Sequence, residues 1–113
     1  MAFSISLIES IEKERLQKLE QQRIEMLNKT IEVLKSYFSS IIIEELYITG
    51  SLLVSGKYYE HSDIDIAIKG LPIDILYKTI FELEEMLNRK VEIIELENCI
   101  FKEKIIKTGL KLQ

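Results

Sequence analysis

The chain predicts a small α/β (α+β) fold, a single sheet with helices packed on it. Three observations carry that reading. Two long stretches repeat apolar residues at helical spacing, three short apolar runs sit beside them, and glycine, serine or asparagine marks each change of period. The order along the chain is α-β-α-β-α-β-α. At 113 residues and 13.2 kDa it reads as one domain, residues 1–113, with one modest core.

The first helix is expected over about Glu9 to Phe38. Ile24, Leu27, Ile31, Leu34 and Phe38 follow a 3,4,3,4 spacing, the mark of a buried stripe. Its first half differs, because Glu12-Lys13-Glu14-Arg15 and Glu20-Gln21-Gln22-Arg23 leave only Ile8, Ile11, Leu16 and Leu19 as apolar points. That half has two readings, a solvated helix or a docking or dimerising arm. Ser39-Ser40 ends the helix, and the rest of the fold is expected over about 43–112. Glu44–Thr49 reads as the first strand, with Leu46 and Ile48 on one face and Tyr47 and Thr49 on the other. Gly50-Ser51 turns into a short helix or loop, Leu52 to Glu60. Ser62–Ile68 is the second strand, closed by Lys69-Gly70-Leu71-Pro72. A helix over Ile73–Asn88 carries Ile73, Leu76, Ile80, Leu83 and Leu87 at helical spacing. Val91–Leu96 forms the third strand, and a last helix is expected over roughly Cys99–Lys107, stopped by Thr108-Gly109 before a short tail.

Composition narrows the classes. A net charge of −4 and a pI near 5.1 argue against a general nucleic-acid binder. No apolar run approaches the ~20 residues of a membrane span, and MAFSISLIESIEKER has neither a basic n-region nor a small-residue cleavage site, so no signal peptide is expected. Cys99 is the single cysteine, which fits a reducing, cytoplasmic setting. Without a histidine nearby in sequence, and heading a segment with Ile100 and Phe101, it reads as a buried structural thiol.

The chemistry is concentrated between Gly50 and Asp65. Gly50 lacks the Cβ that would keep a phosphate from the backbone, and Ser51 adds a hydroxyl where a helical segment begins. After eleven intervening residues comes Asp63-Ile64-Asp65. On a strand these two side chains share a face, with backbones roughly 6.5–7 Å apart. Carboxylates that close raise one another's pKa unless a cation intervenes. Hard divalent ions with oxygen ligands meet that need, Mg²⁺ above all, and Mg²⁺ usually brings substrate phosphates. A two-metal phosphoryl-transfer site also wants a third acid, and Glu92, Glu95 and Glu97 are the candidates. Glu92 shares a face with Ile94, Glu95 lies on the opposite face with Val91 and Ile93, and Glu97 falls at the strand end. If the third strand pairs with the second, Glu92 can reach the metal site as ligand or base. Lys57 and His61 are read as solvated loop residues within reach of a substrate, and Tyr58-Tyr59 as loop packing.

Through ITGSLLVSGKYYEHSDIDIAIKGLP, FELEEMLNRKVEIIEL and FKEKIIKTGL, about Ile43 to Leu112, the chain resembles the minimal nucleotidyltransferases of the DNA polymerase β superfamily, the antitoxin partners of HEPN-domain toxins. The resemblance implies a mixed-sheet nucleotidyltransferase fold. It also implies a triphosphate held at Gly50 and Ser51, and two Mg²⁺ ions on Asp63, Asp65 and Glu92. The implied reaction moves AMP from ATP to an acceptor hydroxyl, in the toxin–antitoxin branch a tyrosine of the HEPN toxin. The chain departs from that pattern twice. Eleven residues, not ten, separate Ser51 from Asp63, and the third acid is glutamate rather than aspartate. The resemblance leaves a second reading, an antitoxin that neutralises its partner by binding alone. Transfer to a small molecule would call for an added substrate domain, for which 113 residues leave no space. A partner or a second copy is expected to complete the shallow cleft, in a homo- or hetero-oligomer.

Overall fold

The computed structural model describes residues 4–113. Its regular elements are helix α1 (Ile5–Tyr37), strand β1 (Glu45–Thr49), strand β2 (Ile64–Lys69), helix α2 (Leu76–Leu87), strand β3 (Val91–Glu95), helix α3 (Lys102–Thr108) and strand β4 (Leu110–Lys111). Short 3₁₀ turns link several of them, at Phe38–Ser40, Gly50–Leu53, Ile73–Ile75 and Leu96–Asn98.

Helix α1 starts earlier than its spacing predicts because Ser4 caps it, its hydroxyl accepting the N–H of Leu7 at 3.1 Å. Its 33 residues make a rod of about 50 Å, which accounts for the 61 Å long axis of the molecule. Every residue from Ser4 to Lys18 is exposed, so the first half projects from the body. Burial begins at Leu19 and is complete at Thr30, Leu34 and Phe38. Of the expected stripe, Ile24 is the exception and stays exposed. Helix α2 ends as expected at Asn88, whose left-handed backbone (φ 51°) forms the cap.

The sheet is mixed, in the order β3-β2-β1-β4. Strands β1 and β2 run antiparallel, with Thr49 opposite Asp65 and Ile48 opposite Ile66. Strands β2 and β3 run parallel, joined through α2. The tail forms a fourth strand that the sequence reading leaves as coil. Leu110 and Lys111 pair with Ile48 and Tyr47 on β1, and Leu112 donates to the Leu46 carbonyl at 2.7 Å. Two residues are too few to show an alternating pattern.

Both faces of the sheet are covered, unequally. Leu46, Ile48, Ile64, Ile66 and Ile68 pack with Leu34 of α1, Phe38 of the turn after it, and Leu83 and Leu87 of α2, the main core. On the opposite face Tyr47 and Ala67 pack with Leu96 and Ile105, the latter from the seven-residue α3, and with half-buried Ile94 and Cys99 at the edge. The last helix corrects the sequence reading. It begins at Lys102, not Cys99, and Ile100 and Phe101 lie exposed in the turn before it. Cys99 is half-buried against the smaller cluster, its sulfur accepting the N–H of Phe101 at 3.4 Å.

Candidate functional site

Alternation along β2 sends Ile64, Ile66 and Ile68 into the main core and Ala67 to the thinly covered face, so Asp65 belongs to that face too. Asp63 lies one residue before the strand rather than within it, and it is exposed. In the parallel pairing Asp65 is level with Glu92, which meets the condition the third acid required. The two rival glutamates are occupied elsewhere. Glu95 is level with Ile68, three residues or ~10 Å further along the strand, and accepts from Asn98 at 3.0 Å. Glu97 holds the N–H of Gly70 at 2.9 Å.

Two contacts fix the register at this end of the sheet. The N–H of Ile64 donates to the Lys90 carbonyl at 2.8 Å. Glu84 of α2 accepts the N–H of Val91 at 2.9 Å, anchoring the residue before Glu92. The consequence is electrostatic. Burial, then the carboxyl of Glu92 and the charge of Asp63, push the Asp65 carboxyl up to about 6.

Gly50 follows β1 directly and opens the 3₁₀ turn Gly50–Leu53. Its φ of +81° is one that glycine adopts freely. A Cβ at this position would run into the Asp65 carboxylate, so the glycine is what lets the backbone approach the acids. The first N–H groups of such a turn have no earlier carbonyl within it to bond. Helix α1 braces the segment from the other side. Arg23 donates to the Leu52 carbonyl at 3.0 Å and pairs with Glu20, which accepts from Ser55 at 2.6 Å.

A hollow of about 580 Å³ opens at the turn, lined by Thr49, Gly50, Ser51, Lys57, Lys104 and Thr108. Lys57 was a candidate from sequence. Lys104 and Thr108 were not, since nothing before the fold places α3 beside Gly50; only their spacing of four, one helical turn, offers a signal. His61 and Tyr58 line a second hollow of about 550 Å³ with Lys29 and Arg89. Tyr58 is buried, as loop packing predicts, and receives a hydrogen bond from Arg89 at 3.2 Å, whereas Tyr59 is exposed.

Among the described residues no three histidine, cysteine, aspartate or glutamate side chains are gathered into a metal-ligating cluster. The donor set nevertheless suits a hard cation. All three candidates are carboxylates, and two of them raise the pKa of the third, the state a divalent ion would relieve.

Acids presented from adjacent strands of a mixed sheet, beside a glycine-serine turn that reaches them, define a nucleotidyltransferase-type domain. The family model described as Polymerase beta, Nucleotidyltransferase matches residues 28–112, and the chain belongs to that family. Among solved structures, it is similar to a toxin–antitoxin crystallised with AMP-PNP, at 23% identity and TM-score 0.59, covering 76% of this chain and 71% of the other. It is also similar to the toxin–antitoxin MntA–HepT, at 18% identity and TM-score 0.54, over 77% of this chain and 70% of that one. At these identities the likeness is one of fold. No curated protein matches the chain significantly. No helix among the described residues is long and apolar enough to cross a membrane.

Proposed function

We propose that the protein transfers AMP from ATP to a protein hydroxyl, a tyrosine of a cognate HEPN toxin, and so acts as its antitoxin. The observation that carries this reading is the register of Asp65 against Glu92, beside a turn where only glycine fits. The nucleotidyltransferase family and the AMP-PNP-bound toxin–antitoxin of like fold support it.

Asp63, Asp65 and Glu92 would hold Mg²⁺, two ions in the full site, which when bound supplies positive charge against the triphosphate oxygens. The turn at Gly50 and Ser51 receives the phosphates without a side chain in the way. Lys57 and Lys104, lining the same hollow, offset the negative charge of the polyphosphate. Glu92 accepts the proton of the incoming hydroxyl. The hydroxyl oxygen bonds to the α-phosphorus, the bond from that phosphorus to the bridging oxygen breaks, and pyrophosphate leaves. Positioning supplies most of the rate.

Incubation with α-labelled ATP and the protein encoded by the neighbouring gene tests the reading. Label on the partner is expected with the native chain and none with Asp63→Asn/Asp65→Asn. An unlabelled partner with the native chain refutes it. The exposed first half of α1 favours one other reading, neutralisation by binding alone, in which the double variant silences the toxin as well as the native protein does.

A further inference from the structure

The first half of α1 lies outside residues 28–112 that match the family; it is exposed from Ser4 to Lys18 and half-buried at Leu19. Ile5, Ile8 and Leu16 are 75%, 54% and 49% exposed. At 100° per residue, Ile5, Ile8, Glu12, Leu16 and Leu19 fall on one narrow stripe. This stripe has an internal symmetry. Ile5 and Leu19 stand seven residues either side of Glu12, and Ile8 and Leu16 stand four either side. A hollow of about 580 Å³ runs along it, lined by Ile8, Glu9, Glu12, Lys13 and Leu16.

We infer that this stripe is the interface of a homodimer, two copies of α1 packed antiparallel and crossing at Glu12. A two-fold axis there sets Ile5 of one chain level with Leu19 of the other, and Ile8 level with Leu16, so every apolar residue on the stripe meets an apolar one. The flanking charges agree. Glu9 and Lys13 lie on the same flank, and the axis brings each within two residues, ~3 Å along the helix, of its opposite in the other chain. The two Glu12 carboxylates that meet at the crossing are each already paired with their own Arg15 at 2.6 Å. Arg15, Leu16 and Leu19 also line a hollow of about 230 Å³ with Gly56 and Tyr59, so the partner's N-terminal turn would end against the loop that follows the glycine-serine turn. A parallel pair would also set apolar residues level, but its axis puts the Glu9 and Lys13 flanks of the two chains on opposite sides of the seam, so these charges would not pair with each other.

Disulfide trapping reads the arrangement directly. In a Cys99→Ser background, an Ile8→Cys chain mixed with a Leu16→Cys chain is expected to cross-link. Neither chain is expected to link to itself, because like positions lie ~12 Å apart along the antiparallel pair. Sedimentation should show a concentration-dependent dimer that Ile8→Glu/Leu16→Glu abolishes without loss of helical signal. Lys13→Glu should weaken it, and adding Glu9→Lys should restore it. A monomer at every concentration, or self-linking of the Ile8→Cys chain, overturns the proposal, the former leaving the stripe to a different protein.

Discussion

Gly50 and Asp65 define the site at the scale of single residues. The glycine is fixed twice over, by a positive φ and by the carboxylate that a side chain would strike. Gly50→Ala is therefore expected to destabilise the fold by roughly 1–3 kcal/mol, measured by denaturant unfolding, and to weaken ATP binding. The Asp65 carboxyl titrates near 6 instead of 3.8. The folded state thus holds this proton more tightly than the unfolded chain does. The stability it lends is fully present below about pH 4 and is lost as pH rises through about 6. A shift of that size corresponds to about 3 kcal/mol, reduced to about 1 kcal/mol for a half-exposed group. Without divalent ions, Asp65→Asn should unfold at a higher temperature than the native chain at pH 7, and the difference should vanish at pH 4. The aspartate pair and the glycine-serine turn were legible in sequence because their chemistry is local. Lys104 was not, since its place beside Gly50 depends on how α3 returns to the sheet.

Elements decide which glutamate lies beside Asp65. Sequence offered three, and the parallel pairing of β2 with β3 brings Glu92 level with it. Glu84 on α2 helps set that register through the Val91 N–H. Glu84→Ala should cost about 1 kcal/mol and lower AMP transfer, whereas Glu95→Ala, at the far end of β3, should leave transfer near native. Helices with long apolar periods were readable to within a few residues. The start of α1 was misplaced because a serine cap outweighed the charged segment that follows it, and the last helix because apolar Ile100 and Phe101 do not face the core. Strand β4 could not be read, as its pairing with β1 is wholly non-local.

At the scale of the whole molecule, the work is divided between the two faces of the sheet. One is sealed by α1 and α2 and carries the main core. The other is covered by the short α3 and leaves the acid end of β2 and β3 open. Leu34, fully buried where α1 enters that core, should cost about 2–5 kcal/mol when replaced by alanine, read by chemical denaturation. The loss should leave the projecting half of α1 helical if it is held by a second copy. On the proposed function, nucleotide binding draws chiefly on the open face, where Asp65 and Glu92 lie level on adjacent strands. Calorimetric titration of ATP into the protein, with Mg²⁺ and then with a chelator, tests that claim most directly. Binding should require Mg²⁺ and weaken at least about tenfold, or 1.4 kcal/mol, in Asp65→Asn. Equal affinity with the chelator, or in the variant, would contradict it.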